Sequence, residues 1–182
     1  GWVGRGGVCF TVDFLRCPMP LPAVVKPSDE GSSIGVTIVR KPEHWVGALK
    51  DAFAHSEEVL AEEFVDGKLL AIGMDGLRPL PIVHIVPRFG FYDYEAKYTL
   101  GKTDYYCPAD LTKEETRRCQ DVSVRVYRML KARAMARIDV ILDSAGIPKV
   151  LELNTIPGLT PTSLLPKAAK QAGMDFTEMI FN

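Results

Sequence analysis

The sequence predicts a mixed α/β (α+β) fold with largely antiparallel sheets and packed helices, on three observations. "ARIDVILD" (136–143) and "VLELN" (150–154) share one pattern of alternation and are joined by the short Gly- and Pro-containing "SAGIP". Connections of that length join antiparallel neighbours. A Gly/Ser loop, "SDEGSSIG" (28–35), separates two further short strands, while "TKEETRRCQDVSVRVYRMLKARA" (112–134) switches to the period of a helix.

In chain order, "LPAVVKP" (21–27) reads as a strand halted by Pro27, and "VTIVR" after the Gly/Ser loop as its partner. "KPEHWVGALKDAFAHS" has Pro42 at a first helical position, with Trp45, Leu49, Ala52 and Phe53 at helical spacing, so a helix should pack on that sheet. "EVLAEEFVDG" (58–67), "LLAIGM" (69–74) and "PIVHIVP" (81–87) read as strands separated by Gly67 and Gly76. "FGFYDYEAKYTLGKTDYYCPADL" is aromatic, charged and without sustained period, as in an ordered functional loop. In the next segment Thr112 and Glu115 have capping-box spacing, and Cys119, Val122, Val126, Met129 and Leu130 fall along one helical face. "SLLPKAAKQA" and "DFTEMIF" read as short C-terminal helices.

The 182 residues are enough for a substantial core, and Lys+Arg 22 against Asp+Glu 23 steers the chain toward neither nucleic acid nor an anionic membrane. No apolar run approaches the ~20 residues that span a bilayer, and the first residues lack signal-peptide order, so the cytoplasm is the expected location. Cys9, Cys17, Cys107 and Cys119 form no C-x-x-C pair and read as incidental or buried thiols; His44, His55 and His84 are scattered and read as structural.

The hairpin carries the chemistry. Alternation puts Leu151 and Leu153 on one face and Glu152 and Asn154 on the other, and it separates Ile138, Val140 and Leu142 from Arg137, Asp139 and Ile141. A solvated strand face shows the same pattern. With Ser144 to Ile147 as the loop, however, Asp139 lies opposite Glu152 and Arg137 opposite Asn154, so all four share one face. Two carboxylates and an amide oxygen form a hard-oxygen set suited to Mg²⁺, which leaves positions open for water or phosphate. The adjacent Arg137 suits developing negative charge. "KPSDEGSSIG" (26–35) then offers Lys26 and a loop whose N–H groups could wrap phosphate oxygens. It matches neither G-x-x-x-x-G-K-[ST] nor G-x-G-x-x-G, and an ordinary β-turn fits it too. Lys97 and Tyr98 fit a surface pair as well as a site. The combination points to nucleotide-dependent group transfer.

The motifs "VVKPSDEGSSIGV", "EEFVDG", "FYDYEAKY", "YYCPA", "ARIDVILD" and "LELNTIPGLTPTSLLP" occur in one order. From about Leu21 to its end the chain thereby resembles the C-terminal catalytic region of D-alanine:D-alanine ligases, ATP-grasp enzymes of bacterial cell-wall synthesis. The resemblance implies an ATP-grasp catalytic domain over 21–182, two lobes around the nucleotide, and an unmatched segment over 1–20. It also implies that ATP phosphorylates the carboxylate of one D-alanine and that the amine of a second attacks the acyl phosphate. By the same resemblance Asp139, Glu152 and Asn154 would hold two Mg²⁺ ions, or Mn²⁺ in their place. Lys26 and Lys97 would contact the ATP phosphates, with Ser32 and Ser33 in the loop that covers them. Glu62 and the chain through Glu63, Phe64 and Val65 would hold the adenine. Arg137 and the backbone N–H of Gly158 match the groups that stabilise the tetrahedral oxyanion, and Ser163 and Leu164 those that bind the second D-alanine's carboxylate. Tyr98 is similar to the loop tyrosine associated with an amine acceptor.

Two departures stand out. Where the family has a glutamate for the ribose hydroxyls this chain has Leu69, which predicts a raised KM for ATP that Leu69→Glu should lower. Family members also carry an N-terminal domain that supplies a substrate-orienting glutamate and a further lysine, and residues 1–20 offer no counterpart. The chain is then expected to be a fragment or the product of a truncated gene. It would act as a ligase, alone, as a homodimer or with the missing domain, or persist as a remnant that binds Mg·ATP without turnover; a purely partner-binding domain is the third reading.

Overall fold

The computed structural model describes residues 16–88, 90, 92, 97, 99, 101–160 and 163–181. The chain divides into two compact units, Gly1–Phe64 with Phe89–Lys102, and Val65–Arg88 with Thr103–Asn182. Tyr98 lies outside the described residues, as do Cys9 and most of the 1–20 segment.

In the first unit, β1 (Ala23–Pro27) pairs antiparallel with both β2 (Thr37–Val39) and β3 (Val59–Glu63). Alternation along β1 buries Ala23 and Val25 and turns Val24 and Lys26 to the other face. The buried face receives α1 (Trp45–Phe53), whose Trp45, Ala48, Leu49 and Ala52 form a stripe at three- and four-residue spacing. Two expectations change here. Pro42 opens a 3-10 turn, Pro42–His44, ahead of α1 rather than α1 itself, and Phe53 at the helix end is 44% exposed, off the packed stripe.

The second unit is built on a sheet of order β7-β6-β4-β8-β9, with the short β5 added to β4. These strands are β4 (Gly67–Asp75), β5 (Arg78–Pro79), β6 (Val83–Pro87), β7 (Thr103–Tyr106), β8 (Met135–Asp143) and β9 (Pro148–Asn154). Helix α2 (Lys113–Met129) lies on one face, where Leu70, Ile72, Met74, Ala136, Ile138, Val140 and Leu142 meet its Cys119 and Tyr127. Burial lifts the Cys119 thiol to about 11. Helix α3 (Leu164–Gln171) packs on β4 and β6, and α4 (Phe176–Phe181) follows it. Leu165 of α3 comes down on Gly73, where an added Cβ would stand 2.8 Å from its Cδ1.

The capping box of α2 forms as predicted: Glu115 N donates to Thr112 Oγ1 at 3.2 Å and Thr112 N to Glu115 Oε2 at 2.8 Å. Its buried face differs from the apolar pattern. Cys119, Ser123 and Tyr127 are buried, whereas Met129 and Leu130 are 76% and 62% exposed. The helix stops at Met129, so the last apolar residues never complete a packed turn. Ser123 tolerates burial by donating to Cys119 O at 2.8 Å, and Tyr127 by donating to Ala134 O at 2.7 Å. The stretch expected as one strand over 58–67 ends at Glu63, and Gly67 starts β4 instead of preceding it. Within the expected long loop, Thr103–Tyr106 forms β7, and Asp104 there accepts a two-pronged bond from Arg88 at 2.8 and 2.9 Å. Among the described residues no helix is long and apolar enough to cross a membrane.

Candidate active site

The β8–β9 hairpin turns through residues 144–147 and pairs Asp139 with Glu152 and Arg137 with Asn154, the expected register. It arrives there through an irregularity. Leu142 pairs with Pro148 and Val140 with Val150, then the register shifts by one, leaving Leu151 as the extra residue. A bulge of this kind re-aims the side chains that follow it. It also removes Leu151 from the predicted core face: Leu151 is 39% exposed, and only Leu153 packs on the core cluster.

On the polar face Arg137 Nε and Nη2 donate to the two Asp139 carboxylate oxygens, both at 2.8 Å, and Nη2 stands 3.9 Å from Glu152 Oε1. Asn154 Nδ2 donates to the same Glu152 oxygen at 3.0 Å. The Asp139 side chain is 14% exposed. Burial pushes its carboxyl above the usual range, the Arg137 fork pulls it back, and neighbouring Glu152 adds to the rise. Among the described residues no three His, Cys, Asp or Glu side chains gather as a metal set. Two carboxylates with the Asn154 amide as third donor nonetheless have the hard-oxygen chemistry that fits Mg²⁺. Such an ion would compete with Arg137 for the same oxygens.

The chain leaving β9 turns back to α3, with Ser163 just ahead of it in extended conformation and making no side-chain cap bond. Ser163 Oγ accepts from Thr160 N at 3.1 Å and lies 2.8 Å from Thr160 Oγ1. Gly158 sits against it, since a Cβ there would stand 2.9 Å from Ser163 Oγ. Gly158, Ser163 and the first residue of α3, Leu164, are therefore neighbours at a helix N-terminus, which favours anions.

In the first unit Lys26 Nζ lies 2.6 Å from Glu62 Oε1, across the β1–β3 pair and on the face away from α1. Ser32 and Ser33 both adopt positive φ, 54° and 63°, a conformation that costs energy outside glycine and is met at ligand-holding loops. Ser33 Oγ donates to Tyr92 O at 3.1 Å, and Lys97 Nζ stands 5.3 Å from the centre of the Tyr92 ring. After β3, Phe64 N donates to Pro22 O at 3.1 Å and its ring lies 5.3 Å from Arg40 Cζ; Glu63 is exposed and Val65 half-buried.

Residues 14–182 match the family described as "D-ala D-ala ligase C-terminus". The chain belongs to this family. It is 42% identical over 180 residues to the D-alanine–D-alanine ligase of Methylacidiphilum infernorum, covering 96% of this chain and 59% of that protein. With the same-named ligase of Syntrophotalea carbinolica the identity is 45% over 159 residues, covering 87% and 52%. Among solved structures, the D-alanine–D-alanine ligase of Bacillus anthracis superposes with a TM-score of 0.77 at 36% identity, over 88% of this chain and 52% of that one. The VanG D-Ala:D-Ser ligase of Enterococcus faecalis gives 0.81 at 32% identity, over 90% and 49%. The fold is therefore that of the ATP-grasp D-alanine ligases, and the chain spans about half the length of the relatives it matches.

Two members of this ligase region's polar and apolar surroundings escape a sequence reading. Lys167, one turn into α3, sets its ammonium 5.5 Å from the centre of the Tyr105 ring, and burial lowers its pKa. Leu151 is brought out beside Glu152 by the bulge. A Pro-Lys pair inside a short helix and a Leu within a strand carry no mark of either position.

Proposed function

We propose that this chain is the catalytic part of an ATP-dependent ligase that joins two D-alanines through an acyl phosphate for peptidoglycan precursor synthesis. Residues 21–182 form its ATP-grasp catalytic domain, and it works in the cytoplasm, where ATP is available. The observation that carries the reading is the single strand face on which Arg137, Asp139, Glu152 and Asn154 converge, in a chain of this family.

Asp139, Glu152 and Asn154 would hold two Mg²⁺ ions, which would supply positive charge against the polyphosphate and the transferred phosphoryl group. Lys26 and Lys97 bind phosphate oxygens as point charges, and the Ser32–Ser33 loop excludes water above them. Glu62 and the backbone from Glu63 to Val65 orient the adenine. The first D-alanine's carboxylate attacks the γ-phosphorus and ADP leaves. Ser163 and the N-terminus at Leu164 hold the carboxylate of the second D-alanine, whose amine attacks the acyl carbon. Arg137 and the Gly158 N–H stabilise the resulting oxyanion until phosphate departs, and Tyr98 helps select an amine acceptor. The VanG neighbour, a D-Ala:D-Ser ligase, makes D-serine the first alternative acceptor to assay.

Phosphate release by the chain in Mg²⁺ and ATP tests the proposal. D-alanine-dependent release that vanishes in Asp139→Ala and Glu152→Ala is the expected result. A folded protein that ADP protects only with Mg²⁺, yet that releases no phosphate, would instead be a nucleotide-binding remnant needing a further domain or a second copy. The coverage of only about half of each relative favours testing for that outcome directly.

A further inference from the structure

The first half of α2 pairs its arginines and the second half does not. Arg117 is held by Glu114 and Asp121, and Arg118 by Glu114, at 2.8 to 2.9 Å. Between Asp121 and Asp139 the chain has no acidic residue. Arg125, Arg128, Lys131 and Arg133 are all exposed there, and their side chains have no ion-pair or hydrogen-bond partner among the described residues. Arg125, Arg128 and Met129 are three and four residues apart, so they share the helix face turned away from the one that buries Ser123 and Tyr127. Met129 and Leu130, both well exposed, therefore stand among cations. The turn that follows is held by Lys131 N donating to Arg128 O at 3.1 Å and Ala132 N to Tyr127 O at 3.0 Å. Gly76 N donates to Ala134 O at 3.3 Å, which brings the tip of the β4–β5 hairpin alongside. Leu77 at that tip is 50% exposed, and the exposed Arg78 beside it also has no side-chain partner among the described residues.

Cations and large apolar side chains thus gather at the end of the second unit where α2 and β4 both finish. Asp75, half-buried and opposite Arg78, is the carboxylate in these rows. The near-zero charge of the whole chain conceals this local excess, because most acidic residues lie elsewhere. A partner that matches the set must offer anionic groups and, behind them, an apolar layer. A nucleic acid would meet the cations and leave Leu77, Met129 and Leu130 in water. An anionic bilayer supplies both, with headgroup phosphates at its surface and acyl chains about 5–10 Å below. We propose that this end of the unit docks on an anionic membrane surface. Leu77, Met129 and Leu130 enter the headgroup–acyl boundary, and Arg78, Arg125, Arg128, Lys131 and Arg133 meet lipid phosphates. The chain lies on the bilayer without spanning it, and the proposal is independent of the nucleotide site.

Cosedimentation of the intact folded chain with vesicles tests it, one set made of phosphatidylcholine alone and the other containing phosphatidylglycerol. Binding is expected to the second set only, and it should fall as salt is raised. Arg125→Gln combined with Arg128→Gln is expected to weaken it roughly 30-fold, about fivefold for each charge removed. Met129→Ser combined with Leu130→Ser should weaken binding while leaving its salt dependence in place. Arg88→Gln removes an equal charge from the Arg88–Asp104 pair, at the opposite end of the sheet, and should change binding by less than about twofold. These side chains are exposed, so the variants should keep the urea midpoint of the unaltered chain. Equal binding to both sets of vesicles, binding to neither, or a double-arginine variant that binds as well as the unaltered chain would overturn the proposal. So would retention on immobilised polyglutamate without any vesicle binding, which would make the surface a site for an acidic protein instead.

Discussion

The two faces of β8 differ as much as two residues' separation allows. Toward α2 the strand offers Ala136, Ile138, Val140 and Leu142, none more than 2% exposed, the first three opposite Met74, Ile72 and Leu70 of β4 and Leu142 opposite Lys68. On the other side Arg137 and Asp139 sit beside Glu152 and Asn154. The first face is stabilising because many apolar surfaces leave water together. The second lifts the Asp139 carboxyl by burial and offsets that only through the Arg137 fork, and such a pair rarely adds net stability. Alternation of Cβ direction therefore lets one strand anchor the unit and present its polar cluster with little interference between the two.

Substituting one residue on each face tests that separation. On the proposed ligase reading Arg137→Lys, which keeps a positive charge beside Asp139 but loses the two-pronged donor, is expected to lower D-alanine-dependent turnover by roughly 10²–10³, the usual cost of an oxyanion-stabilising donor, with a modest change in the urea midpoint. Ile138→Ala should do the reverse, losing about 2–5 kcal/mol of stability through the cavity left in the core cluster. The rate per folded molecule would stay near that of the unaltered chain. Comparable stability losses in the two variants would mean that the polar face is part of the scaffold and the comparison fails.

Much of this division could be read from the chain itself. The register that leaves the turn, Leu142 with Pro148, would set Asp139 against Leu151, and the bulge brings Glu152 there instead, so it is the two-residue period alone that made the polar face legible in "ARIDVILD" and "LELN". Leu151 was not, because a bulge inserts its extra residue without a local sequence mark. The inner face of α2 was misread for a different reason. Hydropathy favours Met129 and Leu130 over Ser123 and Tyr127, but it ignores that a buried serine can donate to the carbonyl four residues back in its own helix, as Ser123 does to Cys119 O, and that Tyr127 reaches Ala134 O beyond the helix end. The approach of Gly158 to Ser163 and the pairing of Lys26 with Glu62 likewise belong to the folded chain. Adjacent in space, these residues are separated in sequence by a turn in one case and a whole helix in the other.

Smaller effects sharpen the contrast on the α2 side. Thr112→Ala removes one half of the capping box and is expected to cost about 1 kcal/mol, seen as a lower urea midpoint with nucleotide affinity unchanged. A loss of Mg²⁺-dependent ADP binding in that variant would tie α2 to the site and weaken the separation of the faces.

The smallest expected effect is a pH dependence on that same α2-facing side. His84 pairs with Leu70 and Tyr106 and so lies on the row of the core face, with its ring 6.3 Å from that of Tyr106. Burial first, and the charge of Lys68 second, lower its pKa from the ordinary 6.5. The folded chain thus holds His84 neutral at a pH where the unfolded chain already binds the proton. Its contribution to stability is complete above about 6.5 and is lost as pH falls through the lowered folded value. Urea midpoints between about pH 7.5 and 5.5 should fall more steeply for the unaltered chain than for His84→Gln. Because the polar face contains no histidine among its four converging residues, Mg²⁺-dependent ADP affinity should show the same pH profile in both proteins. A profile that changes with His84 would mean that the two faces communicate through the sheet.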